Sequence, residues 1–83
     1  MTLGVQFTGT IPANSSRKWF TFNWNANWQV LWSVVPTSPR PGAPQIEYSI
    51  EVERASTGFI TYWVSIRNLT NVPVNIEARY AIL

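Results

Sequence analysis

Four glutamates, Glu47, Glu51, Glu53 and Glu77, are the only acidic side chains in this chain, and histidine, aspartate and cysteine are absent. Hydrolytic and metal chemistry draws its bases, nucleophiles and ligands mainly from those missing types. Glu47, Glu51 and Glu53 fall at even spacings and so line one face of an extended strand, where they can in principle hold a cation. The simpler reading is that they keep that face wet and pair with Arg or Lys on neighbouring strands. No glycine-rich phosphate loop and no nucleophile beside a base is present. A non-enzymatic protein without a cofactor is expected.

Recognition by surface aromatics needs neither acid nor base, and tryptophan is plentiful, with five in 83 residues. Trp63 stands among Thr61, Ser65 and Arg67, and Trp19 among Thr21 and Asn23, so alternation places both rings on polar faces. One partner for such a ring is a sugar, whose C–H face packs on an indole while nearby Asn, Arg and Thr side chains bond its hydroxyls. Trp63 and Trp19, with Asn23, are the candidate contacts. The other partner is a second copy of the chain, since Trp, Tyr and Arg concentrate at the centres of interfaces.

The elements that must carry these residues are strands. Ile46, Tyr48, Ile50 and Val52 alternate with Gln45, Glu47, Ser49, Glu51 and Glu53, and Ile60, Tyr62, Val64 and Ile66 alternate with Phe59, Thr61, Trp63, Ser65 and Arg67. With the turn Ala55-Ser56-Thr57-Gly58 between them, they predict a hairpin. Upstream, Leu3 to Ile11 predicts a first strand with a bulge at Gly9, and Arg17 to Trp24 a second. Alternation in the second puts Phe20, Phe22 and Trp24 on one face and Trp19, Thr21 and Asn23 on the other. Asn25-Ala26-Asn27 predicts a tight hairpin into a third strand, Trp28 to Val35. The four prolines of residues 36–44 exclude helix and central strand and form a stiff crossover. A final strand from Val72 carries Pro73, expected at an edge or bulge. The fold class is all-β, a small antiparallel β-sandwich of about six strands spanning residues 1–83 as one domain, with an open small β-barrel as the alternative.

Composition sets the remaining expectations. The chain is 46% hydrophobic and 12% charged, more apolar surface than so small a sandwich can hide. Self-association as a trimer or larger closed ring is expected, with Trp19, Leu31, Arg79 and Leu83 as contacts. The six basic residues Arg17, Lys18, Arg40, Arg54, Arg67 and Arg79 are scattered and the net charge is +2, which excludes a nucleic-acid footprint. No apolar run reaches a membrane span, so no transmembrane segment is expected, and the start lacks the pattern of a signal peptide. The expected location is the cytoplasm, or outside it by a non-classical route. Asn14-Ser15-Ser16 and Asn68-Leu69-Thr70 match the glycosylation pattern within turns.

The second half, from Gln45 through Ala55-Ser56-Thr57-Gly58-Phe59 and Ile66-Arg67-Asn68-Leu69-Thr70 to Arg79-Tyr80-Ala81-Ile82-Leu83, resembles the carboxyl half of H-type lectins in its order of strands and turns. The resemblance implies a six-stranded sandwich that trimerises, binds N-acetylgalactosamine-like sugars near protomer boundaries and catalyses nothing. It carries Asn68 and Thr70 over as glycan contacts, with Arg67 in place of the aromatic and histidine of the family's turn. Two other functions use the same tryptophans: a structural assembly protein with its rings at subunit contacts, and a membrane-active toxin fragment with interfacial aromatics.

Overall fold

A computed structural model describes residues 1–83, which form six antiparallel strands and no helix. They are β1 (Thr2–Ile11), β2 (Ser16–Asn25), β3 (Val30–Pro36), β4 (Ile46–Arg54), β5 (Phe59–Asn68) and β6 (Val74–Ile82). Two three-stranded sheets, ordered β1-β6-β3 and β2-β5-β4, pack as a β-sandwich. The open-barrel alternative is set aside, because the two sheets do not close on each other.

The chain changes sheet at four of its five connections, and only β4 and β5 form a hairpin. Asn25-Ala26-Asn27 therefore does not close a hairpin as expected. It carries the chain from β2 in one sheet to β3 in the other, with Ala26 N–H donating to the Gly58 carbonyl at 3.0 Å. The proline-rich segment after β3 is the expected crossover between sheets. In the first sheet Thr2 pairs with Ile82 and Ile11 with Val74, so the first and last strands lie side by side. Pro73 stands just outside β6, which is a central strand rather than an edge. A ring that cannot donate to a ladder is harmless one residue before the ladder begins.

Between the sheets lies a small core of Ile11, Val34, Val64, Ile66, Val74, Ile76 and Ala78, flanked by Phe7, Trp19, Trp32, Ile46 and Ile50. The inward series of β6, Val74, Ile76 and Ala78, follows its period of two. Two bulges break that period elsewhere. One lies between Val5 and Phe7, so Leu3 and Val5 point outward while Phe7 and Ile11 point in. The expected bulge at Gly9 is absent, and that glycine has another use: a Cβ there would meet Trp19 Cζ2 at 2.9 Å. The other bulge lies between Thr21 and Trp24, where Asn23 adopts φ 64°.

The bulge in β2 reverses its expected faces. Trp19 and Thr21 face in, Trp19 stacking on Phe7 with centroids 4.9 Å apart, and Trp24 rejoins them beyond the bulge, donating from Nε1 to Thr21 Oγ1 at 2.9 Å. At that end Trp24, Trp32, Tyr62 and Tyr80 meet edge to face, centroids 5.2 to 6.4 Å apart. Burial among these rings pushes the Tyr62 phenol above its ordinary pKa by desolvation. Phe20 and Phe22 are left outside, 57% and 63% exposed.

Candidate functional site

The outer face of the β2-β5-β4 sheet collects the side chains best suited to hold a polar ligand. Register sets the rows: Phe20 of β2, Trp63 of β5 and Glu51 of β4 lie abreast, as do Lys18, Ser65 and Ser49 one row on, then Ser16, Arg67 and Glu47. Alternation along each strand gives that face its composition, and the direct pairing of Phe20 with Trp63 across β2 and β5 lets their rings meet.

Phe22, Phe20 and Trp63 form a continuous strip of rings, with Phe20 centred 6.0 Å from Phe22 and 5.2 Å from Trp63. Charged groups fix the indole. Trp63 Nε1 donates to Glu53 Oε1 at 3.0 Å, and Lys18 Nζ lies 5.4 Å from the ring centre. The same ammonium reaches across β5 to Glu51 Oε1 at 2.7 Å, and Arg67 Nη1 pairs with Glu47 Oε1 at 3.3 Å. Half or more of each of these paired side chains is exposed or nearly so, and such pairs each contribute at most about 1 kcal/mol. They orient groups more than they stabilise the fold.

Between the two ion pairs the small side chains Ser49 and Ser65 leave a depression of about 280 Å³, walled by Glu47 and Arg67 and bordered by Ser16. Its floor of hydroxyls can both donate and accept. The Glu47 carboxylate on its rim accepts and Arg67 donates, with Lys18 in the next row beside Ser65. A polar depression beside an aromatic strip can hold a ring that is apolar on its face and hydroxylated at its edge. Of the three glutamates on this face, Glu47 pairs with Arg67 of the neighbouring strand as expected, Glu51 pairs with Lys18 two strands away, and Glu53 takes the indole N–H of Trp63 in place of a Lys or Arg.

Of the residues singled out from sequence, the fold brings Trp63 and Arg67 together on this face and withdraws Trp19 and Asn68 into the interior. Trp19 is a correction: it packs inward against Phe7 and the core, and the expectation of an outward ring fails because the bulge, not strict alternation, sets the faces of β2. Asn23 is exposed but holds the positive φ of that bulge. Asn68 is also a correction, being only 1% exposed. Its Nδ2 donates to the carbonyls of Ile11 (3.1 Å), Pro12 (3.1 Å) and Val72 (2.7 Å), and its Oδ1 accepts from Thr70 N–H and Oγ1, both at 2.8 Å. Thr70 Oγ1 donates within the same knot, with the Val72 carbonyl 2.9 Å away. Asn68 ties the β1–β2 turn to the β5–β6 turn and has no amide to offer a sugar, while the Thr70 hydroxyl is engaged within the β5–β6 turn. Asn68 is equally closed to glycosylation, whereas Asn14 is exposed.

Phe20 and Phe22 are the residues that sequence reasoning missed. Asn23 was the available signal, since an Asn two residues after a Thr and one before a Trp admits the positive φ that lets Trp24 turn inward. Of the remaining interface candidates, Leu31 and Arg79 lie on the outer face of the other sheet, and Leu83 follows the end of β6, exposed.

No protein-family model, no curated protein and no solved structure matches this chain. The surface is therefore read from its own geometry.

Proposed function

We propose that this protein is a non-catalytic carbohydrate-binding module whose ligand lies on the outer face of the β2-β5-β4 sheet. The observation that carries the reading is the strip Phe22-Phe20-Trp63 running beside the Ser49–Ser65 depression. Rings left exposed on a sheet face are costly in water unless something apolar covers them, and a sugar's C–H face does so while its hydroxyls bond the flanking polar groups. In this arrangement Trp63 and Phe20 form the platform. Arg67, Glu47, Glu51 and the two serines take the hydroxyls.

The test is a glycan array followed by titration calorimetry on the strongest hit. Phe20→Ala and Trp63→Ala are each expected to weaken binding about tenfold or more, roughly 1.4 kcal/mol. Phe20→Ala should leave the melting temperature within a few degrees, because its ring is outside the core. An array without any hit refutes the proposal, and unchanged affinity in both variants removes the strip from the site. A second reading is favoured by the exposure of Phe20 and Phe22 together: the strip is a subunit contact of a structural assembly. In that case Phe22→Ala lowers the native mass and no glycan binds.

A further inference from the structure

The opposite sheet is built differently. Outward residues of β1, β6 and β3 at one end are Leu3, Val5, Ala81 and Leu31, and the three leucine and valine side chains are each more than half exposed. Ala81 on the central strand is smaller than Leu3 and Leu31 on either side of it in the same row, so a groove of about 430 Å³ runs over β6 between two ridges. Charge on this face is limited to Glu77 and Arg79, which neutralise each other at 2.6 Å. Seven of the ten charged side chains, by contrast, belong to strands of the β2-β5-β4 sheet.

We propose that a second copy of this chain packs on the β1-β6-β3 face about a two-fold axis parallel to the strands. A shift of half a strand spacing, about 2.4 Å, places that axis between β6 and β3. It then seats Leu31 of each copy in the groove over Ala81 of the other, at the same level along the strand. Arg79 meets Ser33 of the other copy rather than a second arginine. Ridge and groove are thus supplied by one surface, which an isologous contact requires and a ring does not provide. A two-fold dimer is inferred in place of the trimer that composition led us to expect.

Two further observations favour a second copy as the occupant. The sheet edges are guarded against strand addition: β1 and β2 are bulged, β3 ends at Pro36, and β4 carries Glu47, Glu51 and Glu53. Faces remain. The shifted axis sets β6 and β3 of one copy over β3 and β6 of the other, and Leu3 and Val5 of each β1 form an apolar rim along the contact.

Because the two sheets lie on opposite sides of each sandwich, the dimer turns its two aromatic strips outward in opposite directions. It is bivalent, a property that rests on the proposed glycan site, whereas the dimer itself does not.

Sedimentation equilibrium of the full chain tests the contact without any sugar. The expected mass is twice 9.5 kDa at micromolar concentration. Leu31→Glu and Ala81→Lys are each expected to weaken self-association about a hundredfold while keeping the circular dichroism of the folded chain, since both side chains point away from the core. Mixed together, the two variants should form a heterodimer, with the new Glu over the new Lys on one side and Leu31 over Ala81 on the other. A monomeric or trimeric wild type, dimers that survive in both variants, or no heterodimer on mixing overturns the proposal. So does sedimentation of a monomeric wild type with phosphatidylcholine vesicles, which would make the face a lipid surface. For bivalency, wild type should aggregate vesicles bearing the array-identified glycan, and Leu31→Glu should bind them without aggregating them. Dimers that bind but never aggregate such vesicles overturn the outward arrangement.

Discussion

Asn68 shows how one side chain can be mistaken for a ligand contact and prove to be a structural knot. Its amide donates to three backbone carbonyls from two turns, and its carbonyl accepts from Thr70. Asn68→Ala removes the buried bond to the Ile11 carbonyl and the amide ties to the Pro12 and Val72 carbonyls, so we expect a loss of about 3 kcal/mol, measured by urea denaturation. For a domain with about 3–5 kcal/mol from its core, that is most of its stability. Asn68→Asp should be worse than Ala at neutral pH, because a carboxylate would face the same carbonyls. Its folded-state pKa would lie above the unfolded value, so the penalty is full at high pH and shrinks as pH falls and the carboxyl protonates. An Asp variant as stable as wild type at pH 7 would mean the amide is not the tie.

At the scale of elements, β2 is decided by its bulge. Asn23 at φ 64° costs little in that conformation, whereas a β-branched residue there costs about 1–2 kcal/mol. Asn23→Val should therefore lower the melting temperature by several degrees, and Asn23→Gly should leave it near wild type with glycan binding intact. Loss of glycan binding in a stable Asn23→Gly protein would return Asn23 to the list of contacts. The same bulge explains what could be read from sequence. β4, β5 and β6 keep a strict period of two, so their inward residues, the β4–β5 hairpin and the glutamate face were legible. β1 and β2 shift register within their length, and alternation extrapolated through a shift exchanges the faces beyond it. Trp19, Phe20 and Phe22 were misplaced for that reason. The pairing of Asn25-Ala26-Asn27 with a hairpin failed for another: a short turn is compatible with crossing to the opposite sheet, and local residues do not record which strand becomes the neighbour.

Taken whole, the molecule is long and thin, 42 × 23 × 16 Å, with seven residues in its apolar core cluster and two outer faces of opposite character. Polar and aromatic groups occupy one face, and aliphatic groups cluster at one end of the other. The order of strands adds a mechanical consequence. Residue 2 sits opposite residue 82, so a pull applied at those two points separates β1 from β6 one rung at a time, beginning at that end. A pull on residues 2 and 74, at opposite ends of the same pair, loads every hydrogen bond of the ladder together. In single-molecule stretching the first attachment should yield at a clearly lower force than the second, and equal forces would show that the β1–β6 ladder is not what resists. Held by its two ends, this domain is expected to open like a zipper, at low force.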